Sequence, residues 1–348
     1  MARRLQTKQF FFALAASAPG IFAPANGEQV ENKPWPFPPR NTPAPAVNAS
    51  TPAPPGAPAG SAPALATPSK IFGTPAPKSD EPPRDVPLVE VSWESLTDKN
   101  LGKDGKTAMS INPAKWRHAE TDNFILHFRR VTEAQKVARE VEYDLWYVAK
   151  TLGAKKEQYH RKSHVFIFED AEEWKTFLAQ TTAAPWAASF AHGDELFLNV
   201  RETNGRLDSN TLAHETTHAV VARLYPRKRW PVWLNEGFAE YMGGASVAAR
   251  KGQTVGRHQS HLHMADMPLE EMEKLTAYPS DEVKVAQLYQ TGEKLVRFLM
   301  DEMPREKITR FIDAALGGLP LKTCILGTYD QELKSWEDFE RRFARFAK

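Results

Sequence analysis

The chain has 348 residues, of which 41% are hydrophobic and 25% charged, with a formal net charge of +2. That length holds one large domain or two small ones, with enough apolar material for a real core. The near-neutral balance excludes an electrostatic footprint for nucleic acid, and the single cysteine, Cys324, excludes an intrachain disulfide and reads as a buried, inert thiol.

The first 25 residues read as an export signal. Arg3, Arg4 and Lys8 precede the apolar run "FFFALAASAPGIF", and "APA" ending at Ala25 supplies a small-residue cleavage site. Without those three cations the net charge becomes about −1. The apolar run is too short to span a bilayer and is interrupted by Pro19 and Gly20. No later stretch is long enough, so no transmembrane segment is expected after signal removal. The expected location is the periplasm, the cell envelope or the exterior. Nineteen of the 27 prolines fall at or before Pro87. Residues 26–85 are therefore a Pro/Ala-rich, low-complexity linker that cannot bury enough surface to fold, and they read as an extended tether. A single folded domain is expected over 86–348.

Within it, "NFILHFRR" (123–130) predicts a strand with alternating Phe124, Leu126 and Phe128. "EAQKVAREVEYDLWYVAKTLG" predicts a helix ending at Gly153. "SHVFIFED", "AEEWKTFLAQ" and "DELFLNVRE" predict a strand, a helix and a third strand. Two motif-bearing helices follow. From about Asp281 the pattern is helical to the end, where Trp336, Phe339, Phe343 and Phe346 form an aromatic core face. The fold class is α+β: a small mixed sheet with helices in the N-terminal half, a helical C-terminal half, and the chemistry at the junction.

That chemistry rests on "HETTH" (214–218) and "NEGFAEY" (235–241). Residues four apart share one face of a helix. His214 and His218 can therefore direct both imidazoles at one ion, while Glu215, about 100° around the helix, flanks the ion as a base for water. "DSN" at 208–210 offers N-caps for this helix, and Pro231 suits the first turn of the next. There Glu236 and Glu240 again share a face. His214, His218 and Glu236 make a His₂Glu set that leaves a fourth zinc position open, and Glu240 can hydrogen-bond the free nitrogen of a liganding histidine. Taken alone, the five-residue pattern also fits an ordinary surface helix. A metzincin geometry fails, because Val221 and Leu224 stand where that class needs glycine and histidine.

"HETTH…WLNEGFAEY" resembles the gluzincins, the zinc metallopeptidases that include thermolysin and the aminopeptidase N-like enzymes. The spacing from His218 to Glu236 is one residue shorter than is usual in the aminopeptidases. The order of elements over roughly Trp116 to Phe346 is similar to that of peptidase-MA-like proteins of bacterial envelopes. "YQTGEKLVRFL" (289–299) resembles the tyrosine-bearing helix start of aminopeptidases. The resemblance implies a zincin-like fold and one Zn²⁺. It implies a peptide or protein substrate, with Glu215 as general base and Tyr289 as donor to the reaction oxyanion. Tyr289 also fits a tyrosine packed in a helical core. In that family the strand before the motif helix is an edge strand that pairs with substrate, a role which falls here on "DELFLNVRE".

The aminopeptidase segment that holds a free amino terminus is missing. Asp194 and Glu195 stand in its place and read as solvated acids at a strand edge. His258, His261 and His263 read as surface histidines on a loop, and "PRKRW" (226–230) as a solvated turn. The competing reading of the whole chain is a non-catalytic envelope protein that binds peptide or cell-wall material through the same fold.

Overall fold

A computed structural model of the chain describes residues 81–158, 161–185, 187–200, 208–253 and 265–346. The expected signal segment, nearly all of the linker, and His258, His261 and His263 lie outside the described residues. The strands are β1 (Val89–Val91), β2 (Arg117–Glu120), β3 (Phe124–Phe128), β4 (Ser163–Phe168), β5 (Ser189–His192) and β6 (Glu195–Asn199). The helices are α1 (Lys103–Ser110), α2 (Val131–Thr151), α3 (Ala171–Leu178), α4 (Ser209–Leu224), α5 (Val232–Arg250), α6 (Leu269–Lys274), α7 (Glu282–Asp301), α8 (Ile308–Leu316), α9 (Leu321–Thr328) and α10 (Trp336–Phe346). The protein is thus mixed α and β. All strands precede α4, and the described chain after it is helical. No helix among the described residues is long and apolar enough to cross a membrane.

The sheet runs β1-β2-β3-β4-β6-β5. Its centre, β3-β4-β6, is parallel, and β1, β2 and β5 are antiparallel to their neighbours. β3 was expected to alternate, yet every residue of β3, β4 and β6 is buried. Parallel central strands are covered on both faces, and so read as continuous apolar runs. One face carries Phe124, Leu126, Phe128, Val165, Ile167, Leu196 and Leu198 into the main core with α2, α4, α5 and α7. The other carries Phe166, Phe168, Phe190 and Phe197 against Trp116, Trp174 and Phe177.

Helix ends follow their local chemistry. Asp170 caps α3 by accepting from the Glu172 and Glu173 amides. α2 ends in a Schellman motif: Gly153 adopts φ +61°, and the Ala154 and Gly153 amides donate to the Ala149 and Lys150 carbonyls. On α10, Phe339 and Phe343 are buried, and Trp336 and Phe346 pack beside them. Cys324 is buried, and its thiol donates to the Leu319 carbonyl.

Two expectations are corrected. "DELFLNVRE" is not the edge strand: it forms β6, which lies inside the sheet, and β5 is the edge. Hairpin pairing produces this, with Gly193 at φ +61° as the first residue of a two-residue turn that returns β5 onto β6. Nor is Glu195 a solvated acid. It is 4% exposed and accepts from the Gly102 and Gly105 amides at the start of α1, at 2.7 and 3.2 Å. A carboxylate is at its most favourable where unsatisfied helix N–H groups converge. Asp194 pairs with Arg161 at 3.0 Å.

Candidate metal centre

Asp208 caps α4 by accepting from the Thr211 amide, which fixes where the helix starts and so which face each later residue occupies. From Leu212 to Val221 every residue is buried, so α4 is a central helix enclosed on all sides. Burying polar groups there costs free energy unless each finds a partner. Thr216 and Thr217 satisfy themselves by donating to the Leu212 and Ala213 carbonyls, at 2.7 and 2.8 Å. His214, Glu215 and His218 remain to be accounted for.

α5 begins at Val232, with Pro231, expected in its first turn, as the N-cap residue. It crosses α4 at close range, because Gly243 leaves room: a Cβ there would stand 3.1 Å from the His214 amide nitrogen. Opposite lies α7, whose backbone meets α5 glycine to glycine. A Cβ on Gly237 would sit 2.3 Å from the Gly292 carbonyl atoms, and one on Gly292 would sit 2.7 Å from the Trp233 oxygen. These glycines bring Glu236, one residue before Gly237, and Tyr289, three before Gly292, to the same place as the histidines.

His214 Nε2, His218 Nε2 and Glu236 Oε2 form a triangle with sides of 3.0, 3.5 and 3.6 Å. Zn–N and Zn–O bonds near 2.0–2.2 Å in a tetrahedron set donor atoms about 3.3 Å apart, so the triangle fits one zinc ion. Glu236 is fully buried and its Oε2 has no hydrogen-bond partner, an arrangement that is costly without a cation. Two imidazoles with one carboxylate suit zinc better than magnesium or calcium, which take oxygen donors. These three residues are the one metal-capable group of histidine, cysteine or carboxylate side chains among the described residues.

Around the triangle, His214 Nδ1 lies 3.3 Å from Glu240 Oε1, whose side chain reaches the rim at 37% exposure. Glu215 is fully buried. Its Oε1 accepts from Ser189 Oγ of β5 at 3.4 Å, and its Oε2 has no hydrogen-bond partner. Tyr289 faces His214 with ring centroids 6.3 Å apart. The structure thus brings together all six residues singled out in the sequence: His214, Glu215, His218, Glu236, Glu240 and Tyr289.

Burial disfavours the charged forms here, and neighbouring charges decide the outcome. It lifts the Glu215 carboxyl above its usual range, although His214 and His218 partly oppose this. At Glu236 the imidazoles outweigh burial and hold the carboxyl well below that range. His214 is raised, against burial, by Glu240 and Glu236. The hydroxyl of Tyr289 is pushed up by burial and by the charge of Glu236, so it is a neutral donor.

Three participants escaped the sequence reading. Tyr278 donates its hydroxyl to Glu236 Oε1, and Asn235 Nδ2 donates to the same oxygen at 3.2 Å. Tyr278 lies 42 residues from Glu236 in a segment without periodicity, and nothing in the sequence points to it. The third is β5, four residues long, which brings Ser189 and the Ala191 backbone to Glu215. Its one signal was Gly193-Asp194, a dipeptide suited to a hairpin turn. No protein-family model matches the chain, and no curated protein matches it.

Proposed function

We propose that the chain is an exported zinc metallopeptidase of gluzincin type that hydrolyses peptide bonds. The observation that carries this reading is the triangle of three buried donor atoms with zinc-like separations, with a further unpartnered carboxylate oxygen beside it. His214, His218 and Glu236 would hold the ion. Zinc bound there supplies an acidified water and a Lewis acid for the scissile carbonyl.

Glu215 Oε2, buried and free of other hydrogen bonds, is the general base. It takes the water proton and returns it to the leaving amine. The Tyr289 hydroxyl donates to the oxyanion. Glu240 orients His214 through Nδ1. The edge strand β5 offers its outer backbone N–H and C=O groups to an extended peptide, next to Glu215. A mixed sheet whose antiparallel edge strand borders the helix that carries "HETTH" also supports a zincin-like reading of the fold.

The test measures zinc by elemental analysis in the wild type and in Glu215→Gln, and follows cleavage of a mixed peptide library by both. Zinc in both proteins with cleavage by the wild type alone is the expected result. Equal cleavage by both ends the mechanism. Zinc in both with no cleavage by either favours a peptide- or wall-binding envelope protein.

A further inference from the structure

The two oxygens of Glu236 have different surroundings, and the difference has a chemical consequence. Oε1 accepts from the Tyr278 hydroxyl and from Asn235 Nδ2 at 3.2 Å, and the Tyr289 hydroxyl also hydrogen-bonds the Glu236 carboxylate. Oε2 accepts none and lies 3.5 and 3.6 Å from the Nε2 atoms of His214 and His218. A carboxylate with both oxygens free can turn to chelate a cation through both, which would fill the coordination position that a reacting water needs. Two donors on Oε1 oppose that rotation.

Asn235 is the neighbour of Glu236 on α5, whereas Tyr278 reaches in from the connection between α6 and α7. That connection is itself fixed. Arg229 Nη2, from the turn between α4 and α5, donates to the Thr276 carbonyl at 2.8 Å, and Asp281 caps α7 by accepting from the Lys284 amide at 2.8 Å. Leu275 and Tyr278 pack against the main core.

We propose that Tyr278 is a positioning residue: with Asn235 it holds Glu236 as a one-oxygen metal ligand and so keeps the fourth position open. This rests on the metal reading above. It gives Tyr278 a role separate from the oxyanion role proposed for Tyr289.

The test uses the full chain and the metal alone. Zinc affinity is measured by competition with a chromophoric chelator for wild type, Tyr278→Phe, Asn235→Ala and Tyr289→Phe, with folding of each metal-free protein checked by circular dichroism. Loss of a hydrogen bond that orients a ligand costs about 10–100-fold in metal affinity. That loss is expected for Tyr278→Phe, with smaller ones for Asn235→Ala and for Tyr289→Phe, whose hydroxyl also hydrogen-bonds Glu236. Cobalt(II) supplies a second readout that a merely structural tyrosine would not move. The wild type should give the intense visible bands of four-coordination, and Tyr278→Phe the weaker bands of five-coordination as Oε1 joins the ion. Wild-type zinc affinity and cobalt spectra in both folded variants at 235 and 278 overturn the role of Tyr278 and leave the metal reading standing. A wild type that takes up neither metal overturns both. Should Tyr278→Phe fail to fold, Asn235→Ala decides by the same two measurements.

Discussion

Leu212 to Val221 are buried without interruption, so each polar side chain on that stretch of α4 needs a partner inside the protein. The threonines find theirs in their own helix, and the two imidazoles face the carboxylates of Glu236 and Glu240. Glu215 is different: its second oxygen is buried with no hydrogen-bond partner in the protein. Glu215→Gln preserves volume but cannot accept a proton. Peptide cleavage should fall by about 10²–10⁴-fold in kcat, measured on a fluorogenic peptide, with zinc content unchanged. In the proposed mechanism Tyr289→Phe removes one oxyanion donor. It should lower kcat by about 10²–10³-fold with KM little altered, in a steady-state measurement on the same peptide. The candidate ligands were legible in the sequence because a four-residue interval defines a helix face. Tyr278 was not, because its contact with Glu236 spans 42 residues and depends on how three helices are arranged.

Among the elements, the crossing of α5 and α7 is the closest constraint on the site. A Cβ at Gly237 would lie 2.3 Å from the Gly292 backbone, so Gly237→Ala forces the helices apart. It should destabilise the fold by about 1–3 kcal/mol or more, read from urea unfolding. Glycine in "NEGFAEY" and "YQTG" was visible in the sequence, but its reason is a contact between two segments.

A second constraint is electrostatic. His118, His127 and His164 form a buried row across β2, β3 and β4, with contacts of 2.8 and 3.0 Å. Burial pulls His164 down to about 4, and His127 well below its usual value. Between about pH 4 and 6.5 the unfolded chain therefore binds a proton at His164 that the fold refuses, and stability rises with pH by up to about 3 kcal/mol. Asp144 acts in the opposite sense. Burial lifts it to about 7, with Ser246 donating to it at 2.5 Å, so the fold keeps a proton that the unfolded chain loses above about pH 4. Asp144→Asn removes that opposing contribution. Relative to wild type it should gain up to about 4 kcal/mol between pH 4 and 8, and its own urea midpoint should drop as pH falls from 6.5 to 4.

Across the whole molecule, the sheet separates two apolar cores, and α4 belongs to the larger one, between the sheet and the C-terminal helices. The candidate centre therefore ties α4, α5 and the segment before α7 to the β5 edge of the sheet. A metal that binds only the folded chain stabilises it by about 2.7 kcal/mol at a hundredfold excess over its dissociation constant. For a domain of this size that is roughly 5–10 °C in Tm. Chelation should lower the Tm by that amount in differential scanning calorimetry, and zinc, but not magnesium, should restore it.

Local patterns settled much of this protein. The spacing of His214, His218, Glu236 and Glu240, the caps at Asp170, Asp208 and Gly153, and the aromatic face of α10 each depend on residues within a few turns of one another. The tertiary structure alone decided that β5 is the edge strand, that Glu195 is buried against α1, and that Tyr278 meets Glu236. Those outcomes join segments far apart in the chain. A periodic sequence states which face of an element is apolar, but only packing determines which other element covers that face and at what distance.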